Sequence, residues 1–256
     1  MSRRRPPRPW VGPVTPVDPA DLPGPRGLTE EVLREDEGDA GVAPASAAFY
    51  WPLLTAERKA RIQSVVEARL QSVTVVLDRL LDPHNTAAIL RTAEGLGLAR
   101  VHVIAHEAAD GIAHRRVTQD AHKWLEVEPH ASGALAARRL RESGFEVWAG
   151  HLDRAARHYS ELPADRPMAL LFGNEHEGPS PETLAACTGT FRIPMAGFTQ
   201  SFNVSVAAGI ALAHLAGARR RLLGRPGDLS EEARVQLRDR FTLLAAKLAR
   251  RMKPRP

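Results

Sequence analysis

Apolar residues along this chain form short continuous runs that alternate with longer segments of helical spacing. A short apolar run bounded by turn residues is typical of a buried strand, and apolar positions three and four residues apart are typical of a helix. Runs of the first kind predict strands at residues 73–77, 101–104, 146–149, 168–172 and 190–193. Segments of the second kind predict helices at residues 86–96, 132–143, 181–187 and 203–223. The alternation of strand and helix indicates a parallel α/β sheet between residues 73 and 223.

Further helices are predicted on both sides of this α/β segment. Residues 55–70 carry apolar side chains at helical spacing, and Ser230 followed by two glutamates is a typical helix start. Residues 1–50 are rich in proline, glycine, alanine and charge, a composition that favours disorder. We therefore divide the chain into a disordered Pro/Arg-rich extension (1–50), an α/β domain (51–223) and a basic C-terminal helix (224–256).

Composition narrows the class of protein. The chain has 256 residues, of which 43% are hydrophobic and 25% are charged, as in a globular protein. No apolar run approaches the ~20 residues that span a bilayer, and no apolar segment follows the arginine-rich N-terminus as it would in a signal peptide. Cys187 is the single cysteine, so an internal disulfide is excluded. We predict a cytoplasmic protein with no membrane partner and with Cys187 in its core.

Positive charge is concentrated at the C-terminal end. Residues 217–256 contain twelve Lys or Arg and four Asp or Glu, a net charge of +8, whereas the whole chain carries +5. A basic excess at one end of a chain fits binding to a polyanion such as RNA or DNA. A solvated basic helix has the same composition, so charge alone does not decide between these interpretations.

Three segments combine strand ends, glycines and polar side chains. Leu171–Gly178 and Ile193–Ser205 each begin as an apolar strand and continue into a loop that contains glycine, and Asp82–Thr92 adds amide and charged groups. Ligands bind α/β sheets where strands end in loops, and glycine lets the backbone approach a ligand closely. The sequence therefore predicts one cofactor pocket built from these three segments.

Each segment also has a purely structural interpretation. Asn85 is a candidate helix cap with Arg91 as a surface charge, and residues 173–178 are a candidate turn. Ser201 or Asn203 is a candidate cap for the helix that follows.

Several kinds of site are excluded by spacing. The glycines of residues 173–178 do not have the spacing of a phosphate-binding loop, and no hydrolase signature is present. His176 and Glu177 have no neighbour in sequence that completes a ligand set, so no metal is predicted.

Taken together, the three segments resemble the signature motifs of the SPOUT methyltransferase superfamily, in its SpoU/TrmH branch. The first resembles the pattern Pro-His-Asn…Arg-Thr-Ala (83–85 and 91–93), and the second resembles the loop Gly-x-Glu-x-x-Gly (173–178). The third resembles Ile-Pro-Met…Gln-Ser-x-Asn-Val-Ser (193–195 and 200–205). The resemblance covers residues 55–252, including His122-Lys123-Trp124, and its flanking helices look like those of tRNA (guanosine-18) 2′-O-methyltransferases.

The resemblance implies a fold, a cofactor and an assembly. The family fold is an α/β domain whose C-terminal part is threaded into a deep trefoil knot, a rare exception to the rule that chains are unknotted. Family members bind S-adenosylmethionine in the knot loops and form homodimers with the pocket at the interface. By resemblance, the cofactor-binding residues are Leu152, Gly173, Asn174, Gly178, Ile193, Met195, Gly197 and Phe202.

The resemblance also implies a reaction, the methylation of a ribose 2′-hydroxyl in RNA, foremost at guanosine 18 of tRNA. In this reaction Arg91 activates the hydroxyl, or holds an RNA phosphate while that phosphate or water takes the proton. Asn85 fixes Arg91, Glu175 holds the second loop, and Ser201 and Asn203 position the phosphate and the catalytic loop. No metal is required, because the leaving group departs neutral.

Two other functions stay open at this point: 2′-O-methylation of 23S rRNA, and noncatalytic RNA binding on the same fold. Asp82 stands where the tRNA enzymes often carry lysine, and Phe202 replaces a usual leucine. The loss of positive charge at Asp82 affects which RNA can dock beside the pocket. Residues 1–50 are too short and polar for the extra RNA-binding domain that many ribosomal relatives carry.

Overall fold

The computed structural model describes residues 46–104 and 121–251. Its strands are β1 Val73–Asp78, β2 Arg100–Ile104, β3 Glu126–Pro129, β4 Glu146–Gly150, β5 Arg157–His158, β6 Met168–Phe172 and β7 Gly189–Arg192. In the described part of the chain they form one sheet of seven strands in the order β3-β2-β1-β6-β4-β7-β5. Every pairing is parallel, which confirms the α/β sheet expected from the sequence.

The described helices are α1 Ala47–Leu53, α2 Ala56–Glu67, α3 Pro83–Gly95, α4 Gly133–Glu142, α5 Pro181–Ala186, α6 Val204–Leu223 and α7 Glu231–Arg251. Short 3-10 helices cover Ala121–Trp124 and Tyr159–Glu161. None of the described helices combines the length and the apolar composition that a transmembrane span requires.

Apolar clusters cover both faces of the sheet. On one face, Val75 and Leu77 of β1 belong to a cluster with residues of α3 and α6, such as Leu212. On the other face, Val76 and Leu171 belong to a cluster with the alanines of α4. A parallel sheet that is buried on both faces requires continuous apolar strands rather than alternating ones. This requirement explains why β1 and β6 were predicted from uninterrupted apolar runs.

The departures from the predicted elements include two strands and the start of one helix. Strands β3 and β5 were not predicted, because β3 is a partly exposed edge strand and β5 has only two residues, both polar. Helix α3 begins at Pro83 rather than Thr86, since the Asp82 side chain caps it by accepting a hydrogen bond of 2.8 Å from the His84 N–H. Proline at the first helical position is favoured because its fixed φ suits a helix start.

Among the described residues, the chain divides into two compact units, one within residues 65–234 and the other formed by residues 46–64 together with 235–251. Within the second unit, the Arg238 guanidinium lies 5.5 Å from the centre of the Trp51 ring. Helix α1 begins at Ala47, inside the extension predicted to be disordered, and residues 1–45 lie outside the described residues. The division into an extension, a domain and a terminal helix stays a prediction.

Strand β7 lies between β4 and β5, two strands that precede it in the chain. The connection from β4 to β5, residues 151–156, therefore passes the carboxyl end of β7. It is held there by the Thr190 hydroxyl, which donates to Asp153 Oδ2 over 2.6 Å, and by the His151 N–H, which donates to the Phe191 carbonyl over 3.0 Å. The chain that leaves β7 thus emerges beside this connection.

Candidate active site

A cavity of about 500 Å³ opens at the carboxyl ends of β4, β6 and β7. This is the edge of a parallel sheet at which ligands bind. Phe172 and Phe191 lie at its base and meet edge to face, with ring centroids 5.8 Å apart. Its remaining wall consists of residues 150–152, the loop 173–179, residues 192, 193, 195 and 200–203, and the side chains of Val204 and Ala207.

The loop after β6 is a closed turn. The Asn174 side-chain oxygen accepts hydrogen bonds from the N–H groups of His176 and Glu177, over 2.9 Å and 3.2 Å. Gly178 has a φ of +69°, and its N–H donates to the Asn174 carbonyl over 2.8 Å. A Cβ on Gly173 would lie 2.2 Å from the Pro179 nitrogen, so the two ends of the turn touch. Glycine is needed at both positions because a side chain would strain or open the turn.

A chain of hydrogen bonds joins the three motif segments. The Asn85 side-chain nitrogen donates to Glu175 Oε1 over 2.8 Å, and the Asn203 side-chain nitrogen donates to Asn85 Oδ1 over 3.0 Å. Glu175 also accepts from the N–H groups of Leu81, over 2.8 Å, and Asp82, over 3.3 Å. The loops after β1, β6 and β7 are therefore fixed to one another at the edge of the cavity.

Asn203 has a second role at the start of α6. Its Oδ1 accepts from the Ser205 N–H over 2.8 Å, so it is the helix cap as well as the donor to Asn85. The cap interpretation that the sequence left open for Asn203 is thus correct, and the same side chain also holds Asn85. For Asn85 the cap interpretation is wrong, because Asp82 caps α3 and Asn85 lies buried in its first turn.

The pKa of Glu175 reflects two opposing effects. Burial favours the neutral acid, but the hydrogen bonds donated by the Leu81 N–H, the Asn85 amide and the Asp82 N–H outweigh it and hold the pKa below its ordinary value. At neutral pH the side chain is therefore a carboxylate that accepts hydrogen bonds. Its oxygens are occupied by these donors, so Glu175 is suited to positioning the loops rather than to removing a proton.

The loop after β7 presents free polar groups to the cavity. Within the described part of the chain, residues 195–202 form no hydrogen bonds, and Ser201 is exposed. The exposed Phe198 ring also lies on this loop. Main-chain N–H and C=O groups that lack internal partners are available to a ligand.

Most residues predicted for the site lie together at the cavity. Those that line it are Leu152, Gly173, Asn174, Glu175, Gly178, Ile193, Met195, Ser201, Phe202 and Asn203. Asn85 does not line it but holds two residues that do, Glu175 and Asn203. Gly197 is not among the lining residues. The roles assigned to these residues stay predictions.

Arg91 is the predicted catalytic residue that neither lines the cavity nor bonds to a residue that does. It is exposed on α3 and does not line the cavity, and its side chain makes no hydrogen bond or ion pair with the residues that the structure describes. Asn85 bonds to Glu175 and Asn203 and not to Arg91, so within one chain the expected contact between Asn85 and Arg91 is not formed.

Sequence reasoning missed several lining residues outside the three predicted pocket segments, namely Gly150, His151, Pro179, Phe191, Arg192 and Ala207. Most of them lie at the ends of predicted strands or at the start of α6. Their positions at the carboxyl ends of β4, β6 and β7 are a signal that could have found them once the strand order was known.

Comparison with known proteins gives a consistent result. The model of the SpoU rRNA Methylase family matches residues 72–213. The tRNA (guanosine(18)-2′-O)-methyltransferase of Thermus thermophilus is 38% identical over 159 residues, which cover 62% of this chain and 81% of that protein.

Two solved structures are informative. The TrmH/SpoU tRNA modifying enzyme of Aquifex aeolicus superimposes with a TM-score of 0.65 at 30% identity, covering 73% of this chain and 95% of that one. The AdoMet-bound rRNA methyltransferase of Sinorhizobium meliloti superimposes with a TM-score of 0.53 at 29% identity, covering 63% of this chain and 60% of that one.

Proposed function

The chain belongs to the SpoU rRNA methylase family, and from this premise we propose that it transfers a methyl group from S-adenosylmethionine to the ribose 2′-hydroxyl of guanosine 18 in tRNA. The observation that carries the proposal is the hydrogen-bonded chain Glu175–Asn85–Asn203, which joins the three family motifs at one cavity. The choice of tRNA follows the Thermus thermophilus relative, which is named for that reaction.

The cavity fits the cofactor chemically. Its apolar lining, which includes Phe172, Phe191 and Ile193, suits an adenine ring. The unpaired main-chain groups of Met195, Gln200, Ser201 and Phe202 suit the polar edges of adenosine and methionine. The carboxylate of Glu177 at the wall suits a cofactor that carries positive charge. S-Adenosylmethionine, when bound, supplies an electrophilic methyl group on a sulfonium ion.

The protein's task in the transfer is to orient the ribose and to move one proton. The 2′-oxygen forms a bond to the methyl carbon as the carbon–sulfur bond breaks, and the hydroxyl proton leaves to an RNA phosphate or to water. A guanidinium is a poor base, so Arg91 serves by holding that phosphate with its planar donors. Asn203, Asn85 and Glu175 hold the loop against which the ribose lies. The exposed Ser201 side chain is free to position an RNA phosphate.

Arg91 reaches a catalytic position most simply through a second subunit. It is exposed and lies away from the cavity of its own chain. We therefore include in the proposal a homodimer in which Arg91 of one subunit completes the cavity of the other. Cytoplasmic residence belongs to the same proposal, since tRNA is a substrate found inside the cell.

The trefoil knot also belongs to the proposal. The connection formed by residues 151–156 crosses the carboxyl end of β7, and the chain continues past it into the loop that lines the cavity. Passage of residues 193–203 beneath this connection would thread the chain. It would also explain how two segments distant in sequence stay closed around one cofactor.

Methylation of defined RNA tests the function. Purified enzyme and S-adenosylmethionine are incubated with a tRNA transcript and, separately, with 23S rRNA, and the modified ribose is located by mass spectrometry. The expected result is one methyl group at guanosine 18, and none on a control tRNA that carries 2′-deoxyguanosine there. If only the rRNA is methylated, the substrate is 23S rRNA and not tRNA. If the cofactor binds but no methyl group is transferred, the protein is a noncatalytic RNA-binding protein.

A further inference from the structure

Three side chains with metal-binding atoms converge at the β3 edge of the sheet, outside the cavity. His102 lies on β2 and Glu128 lies opposite it on β3 as its direct partner in the parallel ladder. His130 follows two residues later, so it lies on the same face as Glu128. The His130 N–H donates to the Val103 carbonyl over 3.0 Å, which extends the ladder by one residue and fixes the position of His130.

The distances among the donor atoms are those of a metal site before the metal enters. Glu128 Oε2 lies 3.6 Å from His102 Nδ1, and Glu128 Oε1 lies 3.5 Å from His130 Nε2. Ligands about 2.1 Å from a tetrahedral ion lie about 3.4 Å from one another. The two ring nitrogens are 2.9 Å apart, so their separation would widen by about half an ångström when each binds the ion instead of its neighbour.

The protein alone satisfies these imidazoles poorly. Both rings are buried, with side-chain exposures of 3% and 1%, and His130 Nδ1 is buried without a hydrogen-bond partner among the described residues. If the proton is on Nδ1, a buried donor is unpaired. If it is on Nε2, a buried acceptor is unpaired. Either tautomer carries the cost of one unsatisfied polar atom at Nδ1. A metal bond at Nε2 leaves that atom unpaired but adds a favourable interaction to a ring that the protein holds in place without satisfying it.

We propose that His102, Glu128 and His130 bind one divalent zinc-class ion, with water as the fourth ligand. Two imidazoles and one carboxylate are a common ligand set for zinc, and they leave one position open. Glu128 is 36% exposed, so an ion can enter and water can remain on its side. The ion ties the edge strand β3 to β2, and it takes no part in the proposed methyl transfer.

Charge in the neighbourhood is compatible with a cation. Arg100 lies 3.3 Å from Glu128 Oε2, which opposes binding of an ion at that carboxylate. The same guanidinium also donates to both oxygens of Glu126 over 3.0 Å. Arg100 therefore keeps an anionic partner when Glu128 turns to the ion.

Glu126 provides a matched control for Glu128. Both glutamates lie on β3 and both pair with Arg100, but Glu126 is outside the three-residue cluster. The variants Glu128→Gln and Glu126→Gln remove the same charge from the same strand. His158→Gln is the corresponding control for His130→Gln, because His158 bonds to Ser160 and lies outside the cluster.

Metal titration of the untagged full-length chain tests the proposal. After treatment with a chelator, the protein is titrated with Zn²⁺ in competition with a chromogenic chelator, and with Co²⁺ to record the visible absorption of a tetrahedral site. One ion should bind per chain, Glu128→Gln and His130→Gln should weaken binding at least about tenfold, and both controls should bind as the wild type does. Zn²⁺ should raise the Tm of the wild type and of Glu126→Gln but not that of Glu128→Gln.

Two outcomes would overturn the site. One is a wild-type chain that binds neither ion. The other is equal affinity in Glu128→Gln and Glu126→Gln. Because Glu128 is partly exposed, its substitution tests the site even if the His130 variant does not fold. Since the readout is ion binding, failure here leaves the proposed methyl transfer untouched.

Discussion

The side-chain amide of Asn203 donates a hydrogen bond of 3.0 Å to the side-chain oxygen of Asn85, a residue 118 positions earlier in the chain. The other end of the same amide caps α6. One side chain therefore starts α6, which lines the cavity, and holds the first turn of α3. Since an amide has both a donor and an acceptor, these two roles can be separated by substitution.

Asn203→Asp should keep the helix cap and lose the donor to Asn85. We expect its free energy of unfolding to stay within about 1 kcal/mol of the wild type, because aspartate is as good a cap as asparagine. Its turnover should fall at least about tenfold, the effect of about 1.4 kcal/mol on the barrier. Asn203→Ala should lose about 1 kcal/mol of stability in addition. Urea unfolding and single-turnover methylation measure the two quantities, and normal turnover in Asn203→Asp would remove the amide link from the mechanism.

Gly173→Ala should close the cofactor cavity. The added Cβ would lie 2.2 Å from the Pro179 nitrogen and 2.4 Å from the Gly178 carbonyl carbon, so the turn must open. Overpacking of this kind costs about 1–3 kcal/mol, and cofactor affinity should fall at least about tenfold. Gly197→Ala is the control, because nothing lies within 4 Å of its added Cβ. Calorimetric titration with S-adenosylmethionine should show near-normal affinity for that variant, and equal losses in both would contradict this account of the turn.

Arg91→Ala should reduce turnover far more than cofactor affinity, because Arg91 does not line the cavity of its own chain. Arg91→Lys should recover little of the lost turnover, since an ammonium group lacks the planar set of donors with which a guanidinium holds a phosphate. Turnover in the two variants and calorimetric cofactor affinity distinguish these effects.

Mixed dimers test whether Arg91 acts in the partner's cavity. Co-expression of Arg91→Ala with Gly173→Ala gives dimers in which one cavity has both defects and the other has none, if the arginine crosses the interface. Such dimers should recover a substantial share of the wild-type activity. Activity no higher than that of the two parent variants would place Arg91 and the cavity on the same chain.

Glu175 should make stability depend on pH in the acid range. Its pKa is lowered in the folded protein from the ordinary value of 4.5, so its stabilising contribution is present above that value and is lost as the pH falls through the folded pKa. Glu175→Gln should therefore lose less stability than the wild type on acidification. Urea unfolding at a series of pH values measures this, with the exposed Glu177→Gln as control. If the free energy of unfolding falls equally with pH in the wild type and in Glu175→Gln, this role of Glu175 is wrong.

Much of the sheet was readable from the sequence because its inner strands are buried on both faces. An uninterrupted apolar run such as Val73–Leu77 is typical of a central strand that is buried on both faces. β3 and β5 were not readable, because a partly exposed edge strand has no such run and the two polar residues of β5 form a strand only through β7. Strand order depends on contacts distant in sequence, which local patterns do not encode.

The site was predictable in its members but not in its connections. Residues around Gly173 and Asn203 were found because glycines and amides interrupt apolar strands there. The hydrogen bonds that join Glu175 to Asn203 through Asn85 could not be predicted from the sequence. They depend on how three segments, distant in sequence, are oriented toward one another. His102, Glu128 and His130 were missed for the same reason. Only the register of β2 against β3 brings the first of them to the other two.

The place of β7 between β4 and β5 has a consequence for how the protein is made. During translation β4, β5 and β6 are complete before residue 189 is added. Until then the position of β7 is empty, and the edges of β4 and β5 that pair with it are unpaired. Unpaired strand edges invite association with other chains. Nascent copies should thus be most prone to aggregation, and most dependent on chaperones, in the interval before that position is filled.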